Sequence, residues 1–243
     1  PGDHLRAIGV THLDQLVVPN YDEDHVSGYR NLLEHGIHIA SILRNPSVSP
    51  GTIRHLKSED GMGEGIEALA DSLSGYTPIA DGALRPAFNG VAREWIWNQY
   101  PHFDDENNLS LLLHLKIRGF SFLFTGDMEC AGFRNVLQTC PRFREICSEV
   151  DVLMASHHGR QNGICPEMFD DYGCNPKLVV ISDDYKQYDT QETTNYYGSK
   201  TRGIAWQPRQ GPPCVRKVMT TRSDGELLFS FRDNNCWVTS TKG

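Results

Sequence analysis

The chain has 243 residues, of which 39% are hydrophobic and 22% charged, with a formal net charge of −8. This composition is typical of a soluble globular protein, so we predict one domain over residues 1–243 and a cytoplasmic location. No apolar run approaches the roughly 18 residues of a bilayer span, so no membrane segment is predicted within this chain.

The first part of the chain shows a β-α-β rhythm. LDQLVVP predicts a short buried strand, HVSGYRNLLEHG a helix that ends at Gly36, and IHIASILRN another strand. Residues 45–94 are rich in Gly, Ser and Pro, and we predict inserted or connecting material with one helical patch, GIEALADSL. These elements favour an α/β fold.

The second part continues this alternation. EWIWNQYP predicts a strand, and LSLLLHLKIRGFSFLFTGD predicts a hairpin of two strands about Arg118 and Gly119. A helix is predicted over residues 129–138, and VDVLMASHHG and PKLVVISDD predict two further strands. The overall negative charge argues against a nucleic-acid partner. From residue 195 onward, however, eight Lys or Arg stand against three acids, so the basic side chains that bind phosphate are concentrated there.

The seven cysteines form no C-x-x-C pair. Neither a disulfide framework nor a cysteine-based zinc site is therefore predicted. We expect reduced, partly buried thiols.

Four predicted strands end in polar side chains, at NYDEDH, TGD, SHHG and SDD. In layered α/β folds such strand ends gather at one edge of the sheet, where sites form. Carboxylate and imidazole ligands together suit Mn, Zn or Fe. Each of these residues alone is more often a turn, a helix cap or a structural histidine. Their order and spacing together predict a metal centre, and the donors are Asp22, Asp24, His25, Asp127 and either His157 or His158.

The order of NYDEDH, NNLS, FLFTGD, SHHG and VVIS resembles the metallo-β-lactamase fold, most closely its competence-type (ComEC-like) branch. The resemblance runs from about Leu5 to Glu226 and takes TTRSDGELLFSF as the closing hairpin. It implies a four-layer αββα sandwich. Family members begin with a hairpin ahead of the matched region, so we expect the first strands of the fold upstream of Pro1 or on a partner chain.

The resemblance also implies a set of ligands for two divalent ions. Asp22 corresponds to a ligand of the first ion, and Asn20 stands where the family has a histidine. Because an amide oxygen is a weaker ligand than imidazole, the first site is expected to be the weaker one, helped by Asn107 or Asn108. The remaining correspondences are Asp24 and His25 as ligands of the second ion, Asp127 as the bridging carboxylate, and His157 as the ligand at the strand end.

These ligands imply a metal-dependent phosphodiester hydrolase, with a nuclease that uses a metal-activated water on DNA or RNA as the leading hypothesis. Mn²⁺ is favoured and Zn²⁺ is the alternative, because the first site is rich in oxygen. Asp24 is expected to orient or deprotonate the nucleophile, and His158 to assist the leaving group or make a supporting hydrogen bond. Asn108, Ser199 and Lys200 are the expected substrate-binding residues.

Two other functions stay open. A hydrolase of small substrates, such as cyclic nucleotides or thioesters, would use the same metals. A degenerate, non-catalytic member of the fold would instead act as a binding or regulatory module of a larger complex. Asn20 and Ser199 favour this last reading, since both replace family histidines. A competence-type domain suits DNA uptake and antiviral defence alike.

Overall fold

The computed structural model describes residues 1–59, 61–76, 88–184 and 191–242. The chain divides into two compact units, one made of residues 1–89 and 97–111 and the other of residues 90–96 and 112–243. Across the described ranges, no helix combines the length and the hydropathy that a bilayer span requires. All seven cysteines are unbridged thiols, as predicted. The single domain over residues 1–243 stays a prediction.

The described residues of the first unit form short strands and five helices. β1 pairs in parallel with β3, and β2 with β4, so the β-α-β rhythm is confirmed. The helix predicted over HVSGYRNLLEHG is interrupted at Ser27 and Gly28. The elements are α1 (Gly2–Ala7), β1 (His12–Leu13), β2 (Leu16–Val17), α2 (Glu23–Val26), α3 (Tyr29–Glu34), β3 (His38–Ile39), β4 (Ile42–Leu43), α4 (Pro50–Leu56) and α5 (Glu64–Gly75).

The region predicted as connecting material contributes to the core of this unit. The helix predicted at GIEALADSL is confirmed as α5, and α4 is an additional helix. Its start follows ordinary capping chemistry, because the Ser49 hydroxyl accepts a hydrogen bond from the Thr52 amide at 3.0 Å and Pro50 occupies the first turn. Ile53 of α4 and Leu69 of α5 are fully buried in the apolar cluster of the unit.

The second unit contains a six-stranded mixed sheet in the order β12-β9-β8-β7-β6-β5. The strands β7, β8, β9 and β12 are parallel to one another, and β6 is antiparallel to β7. The strands of the unit are β5 (Val91–Trp97), β6 (Leu111–Ile117), β7 (Phe120–Phe124), β8 (Val152–Met154), β9 (Leu178–Ile181), β10 (Ile204–Trp206), β11 (Cys214–Arg216), β12 (Val218–Thr220), β13 (Leu227–Arg232) and β14 (Asn235–Ser240). Its α-helices are α6 (Cys130–Thr139), α7 (Pro141–Glu149), α8 (Pro166–Asp170), α9 (Thr194–Lys200) and α10 (Thr221–Asp224).

Alternating side chains of the sheet enter two separate cores. Leu123, Leu153 and Val179 pack with α6 and α7 on one face. Phe122 and Val152 pack on the other face against β13 and β14. A helical layer, the large sheet and a small β layer therefore follow one another in this unit. The α/β class is confirmed, and the four-layer αββα sandwich stays a prediction.

Two predicted hairpins have different outcomes. The hairpin about Arg118 and Gly119 is confirmed as β6 and β7, and both turn residues have positive φ, 49° and 89°. The segment TTRSDGELLFSF does not form a hairpin by itself, because its first residues form α10. Its second half is β13, which pairs with β14 across a turn at Asp233 and Asn234.

Candidate metal centre

In the second unit, the ends of β7 and β8 bring two of the predicted polar motifs together. These strands are parallel neighbours, so their carboxyl ends lie at the same edge of the sheet. The Gly126 carbonyl, in the turn before Asp127, accepts hydrogen bonds from the Ser156 hydroxyl and the His157 amide, both at 3.1 Å. The gathering of TGD and SHHG at one edge is therefore confirmed.

His158 faces the buried carboxylate of Asp127. Its Nε2 lies 3.7 Å from Asp127 Oδ2, which is too long for a hydrogen bond. Its Nδ1 lies 2.8 Å from the Ser182 carbonyl at the end of β9. Because a carbonyl can only accept, Nδ1 carries a proton, and in the neutral imidazole Nε2 then presents its lone pair toward Asp127. Two ligands that are each about 2.1 Å from one ion lie roughly 3–4 Å apart, so this pair fits a divalent cation.

His157 makes a different set of contacts. Its Nε2 lies 2.9 Å from Arg160 Nη1, and its Nδ1 lies 3.7 Å from Glu129 Oε1. A guanidinium group can only donate, so the Nε2 lone pair accepts from Arg160. The roles given to His157 as ligand and His158 as catalytic residue stay predictions, and these contacts favour exchanging them.

The backbone at this histidine pair is in an uncommon conformation. His157 has φ 51° and ψ 48°, His158 has φ 52° and ψ 30°, and Gly159 has φ 74°. Each non-glycine residue in the left-handed region costs about 1–2 kcal/mol. Such outliers cluster at ligand clamps and active sites. Here the turn directs the His158 ring toward Asp127.

In the first unit, α2 carries a second carboxylate–imidazole pair. Asp22 is the N-cap residue of this helix, and Asp24 and His25 follow within its first turn. His25 Nε2 lies 3.9 Å from Asp24 Oδ1, so the separation also suits two ligands of one ion. The Asp24 side chain is 57% exposed and that of His25 is largely covered.

Both the nitrogen and the oxygen of the Asn20 side-chain amide, predicted as a weak ligand, form hydrogen bonds. The residue is fully buried. Its Nδ2 lies 3.1 Å from Ser110 Oγ and 3.3 Å from both Asn107 Oδ1 and the Glu106 carbonyl, and its Oδ1 accepts from the Asp22 amide at 2.8 Å. Asn20 therefore links residues 20–22 to residues 106–110.

Replacing Asn20 by aspartate is expected to lower the free energy of unfolding by about 2 kcal/mol. The carboxylate keeps the oxygens but loses the NH₂ group that donates to three acceptors, one of them the buried Ser110 hydroxyl. Urea denaturation measures the change. Asn175→Asp, at an exposed position, is the control and should stay within about 0.5 kcal/mol of the wild type. Equal stability of the two variants would contradict the role of the Asn20 amide.

Asp22, predicted as a ligand of the first ion, is bound to a lysine. Lys57 Nζ contacts both Asp22 Oδ1 and Glu106 Oε1. Burial alone would lower the pKa of Lys57, but the hydrogen bonds to Asp22 and Glu106 outweigh it and raise that pKa, so the ammonium stays charged. Lys57 and Glu106 were not predicted from the sequence, because no motif connects a residue in the inserted region with one 49 positions later.

The predicted substrate-binding residues all have intramolecular partners. Asn108 donates through its amide and its side chain to the two oxygens of Asp105, at 2.7 and 3.1 Å. The Ser199 hydroxyl donates to the Tyr196 carbonyl at 2.7 Å. Lys200 pairs with Asp170, so a phosphate would compete with this carboxylate. The substrate-binding roles of Asn108, Ser199 and Lys200 stay predictions.

A second group in the second unit also has the composition of a metal site. Ligand atoms of Cys130, Cys165 and Glu167 lie within 4.8 Å of one another. The Cys165 thiol donates to Glu167 Oε2 at 3.2 Å, and Arg134 pairs with Glu167 Oε1 at 2.6 Å. Burial raises the pKa of the Cys165 thiol. The protonated thiol and Arg134 together account for this group without an ion.

The chain is 27% identical over 181 residues to ComE operon protein 3 of Bacillus subtilis (strain 168), and the match covers 73% of this chain. It covers 21% of that protein, so the chain spans about a fifth of the length of the curated relative it matches. No family model matches the chain. The similarity agrees with the competence-type resemblance of the motifs.

Proposed function

We propose that this chain is a metal-dependent phosphodiester hydrolase of the metallo-β-lactamase fold, acting on DNA or RNA. The observation that carries the proposal is the geometry of His158. The Ser182 carbonyl fixes the proton on Nδ1, and Nε2 faces the buried Asp127 carboxylate at 3.7 Å. When the imidazole is neutral, its lone pair and the carboxylate repel each other in this arrangement, and a divalent cation between them would convert the repulsion into two ligand bonds.

Three further observations support the proposal. The hydrogen bond from His158 Nδ1 to the Ser182 carbonyl matches the one that commonly orients metal-binding histidines, in which the ring nitrogen that does not bind the metal donates to a carbonyl. Asp24 and His25 form another pair with suitable separation. The order of the motifs resembles that of competence-type hydrolases, and the similarity to ComE operon protein 3 supports the competence-related part of this resemblance. The metallo-β-lactamase resemblance assigns both pairs to metal binding, and their carboxylate and imidazole ligands are compatible with Mn²⁺ and with Zn²⁺.

The ion and the side chains would contribute different parts of the reaction. When bound, a divalent ion would activate water and stabilise negative charge on phosphoryl oxygens. Asp127 and His158 would hold the ion, and the hydrogen bond to Ser182 would keep the His158 ring oriented. The exposed carboxylate of Asp24, in the first turn of α2, is suited to orient the attacking water and accept its proton.

A non-catalytic binding module is the second candidate, and two observations favour it. The Asn20 amide is used in hydrogen bonds between segments, and Asp22 is bound to Lys57. Neither the residue at the family's histidine position nor Asp22 is therefore available to the first ion without losing these contacts. A binding module would retain affinity for nucleic acid without turnover.

Cleavage assays with Mn²⁺ on labelled single- and double-stranded DNA and RNA, a cyclic nucleotide and a thioester test the proposal. A nuclease cleaves at least one nucleic acid, and added salt weakens its binding, because phosphate contacts release counterions. Turnover of a small substrate alone would support the small-substrate hydrolase. Nucleic-acid binding without turnover would support the binding module. If the chain showed no binding and no turnover of any of these substrates, all three functions would be contradicted.

A further inference from the structure

We infer that Lys57 takes the place of the first metal ion, so that this chain works with one divalent ion and one fixed ammonium group. The inference deepens the proposed function, on which it rests for the identity of the first-ion ligands. It differs from the two-ion expectation that the resemblance implies. Its basis is the set of contacts around Lys57 within the first unit.

The Lys57 side chain is buried within this unit and fixed by its contacts. The residue directly follows α4, and its amide donates to the Ile53 carbonyl at 3.1 Å. Ile53 is fully buried, which anchors the end of the helix in the core. The Lys57 side chain is only 6% exposed, and its Nζ contacts Asp22 and Glu106 together. A surface lysine would leave its ammonium in water instead.

The surrounding residues direct both carboxylates to this one ammonium. Asn20 holds the Asp22 amide with its oxygen and reaches the Glu106 carbonyl with its nitrogen. The two carboxylate-bearing segments are therefore linked by the residue that stands in the family's histidine position. The side chains of Asp22 and Glu106 are 29% and 19% exposed, so both carboxylates are partly desolvated and need a nearby positive charge.

An ammonium and a divalent ion cannot both use these oxygens. A metal–oxygen bond is about 2.1 Å long, and the two cations would lie within about 4 Å of each other, where like charges repel strongly in a partly buried site. Binding of an ion at Asp22 therefore requires Lys57 to leave. Removing the ammonium, in contrast, leaves two converging carboxylates, which are the ligands that hard cations prefer.

The number of bound Mn²⁺ ions per chain tests the inference. After metal removal, Mn²⁺ is titrated into the wild type, Lys57→Met, Lys57→Arg and the exposed control Lys116→Met, and bound ions are counted by equilibrium dialysis. Electron paramagnetic resonance then distinguishes an isolated Mn²⁺ from a pair coupled at about 3.5–4 Å. We expect one isolated ion in the wild type, Lys57→Arg and Lys116→Met, and two ions in Lys57→Met.

Two ions in the wild type would overturn the inference, and so would an unchanged number in folded Lys57→Met. If Lys57→Met does not fold, the wild-type count decides alone: one isolated ion supports the inference and a coupled pair overturns it. A wild type that binds no ion would contradict the proposed function. In that case, uptake of one ion by Lys57→Met would still support the role of Lys57, and no uptake would overturn it.

Discussion

Asp127→Asn is expected to lower kcat/KM for phosphodiester cleavage by at least about 100-fold, since even outer-shell partners of metal ligands change activity by 10- to 100-fold. Asparagine has nearly the same shape, so the buried position is filled and the β7 turn is kept. The substitution removes the negative charge that faces His158 Nε2 at 3.7 Å and thereby weakens metal binding. Cleavage rates and circular dichroism spectra of both proteins, measured at one Mn²⁺ concentration that just saturates the wild type, check this result.

The matched control for Asp127→Asn is Asp14→Asn, which makes the same chemical change at an exposed position. This control should retain wild-type activity. If folded Asp127→Asn cleaves as fast as the control, Asp127 has no part in the metal centre, and the metal assignment of the TGD motif fails.

Lys57→Met is expected to lower the free energy of unfolding by about 3 kcal/mol, because removing one member of a buried ionic group leaves the others uncompensated. The estimate is at the lower end for buried pairs, since Asp22 is 29% exposed. Methionine keeps the length and apolar stem of the side chain, so the change mainly reports the lost ammonium. Urea denaturation in the absence of metal measures it.

Lys116→Met is the control for the charge change, because Lys116 is 49% exposed and lies 3.8 Å from Glu149. It should lose less than about 1 kcal/mol, as exposed pairs do. Added Mn²⁺ should restore part of the stability of Lys57→Met by binding only its folded form. Loss of less than 1 kcal/mol in Lys57→Met would show that Asp22 and Glu106 do not depend on this ammonium.

The sequence was sufficient where local patterns determine structure. Apolar runs that stop at TGD, SHHG and SDD predicted β7, β8 and β9. A buried strand consists of apolar residues, and the polar residues that follow it lie at the edge of the sheet. Gly119 marked the turn of the β6–β7 hairpin. The helix α4 was missed although Ser49 and Pro50 are ordinary start signals, because the Gly, Ser and Pro content of the region outweighed them.

The parts of the site that could not be predicted depend on long-range contacts. The proposed role of Lys57 rests on its contacts with Asp22 and Glu106, which lie 35 and 49 positions away. The proposed assignment within the histidine pair rests on two left-handed backbone conformations and on hydrogen bonds to Arg160 and Ser182. Neither has a local sequence signal, apart from Gly159 after the pair.

The most direct test of the central claim is metal-dependent cleavage, measured with the metal content of the same samples. Wild type and Asp24→Ala are stripped with a chelator, analysed for metal, and assayed on labelled DNA and RNA before and after addition of Mn²⁺. The account predicts no cleavage by the stripped wild type, recovery of cleavage together with bound Mn²⁺, and no recovery in Asp24→Ala. Cleavage by metal-free protein, or none by the reloaded wild type on any substrate, would contradict it.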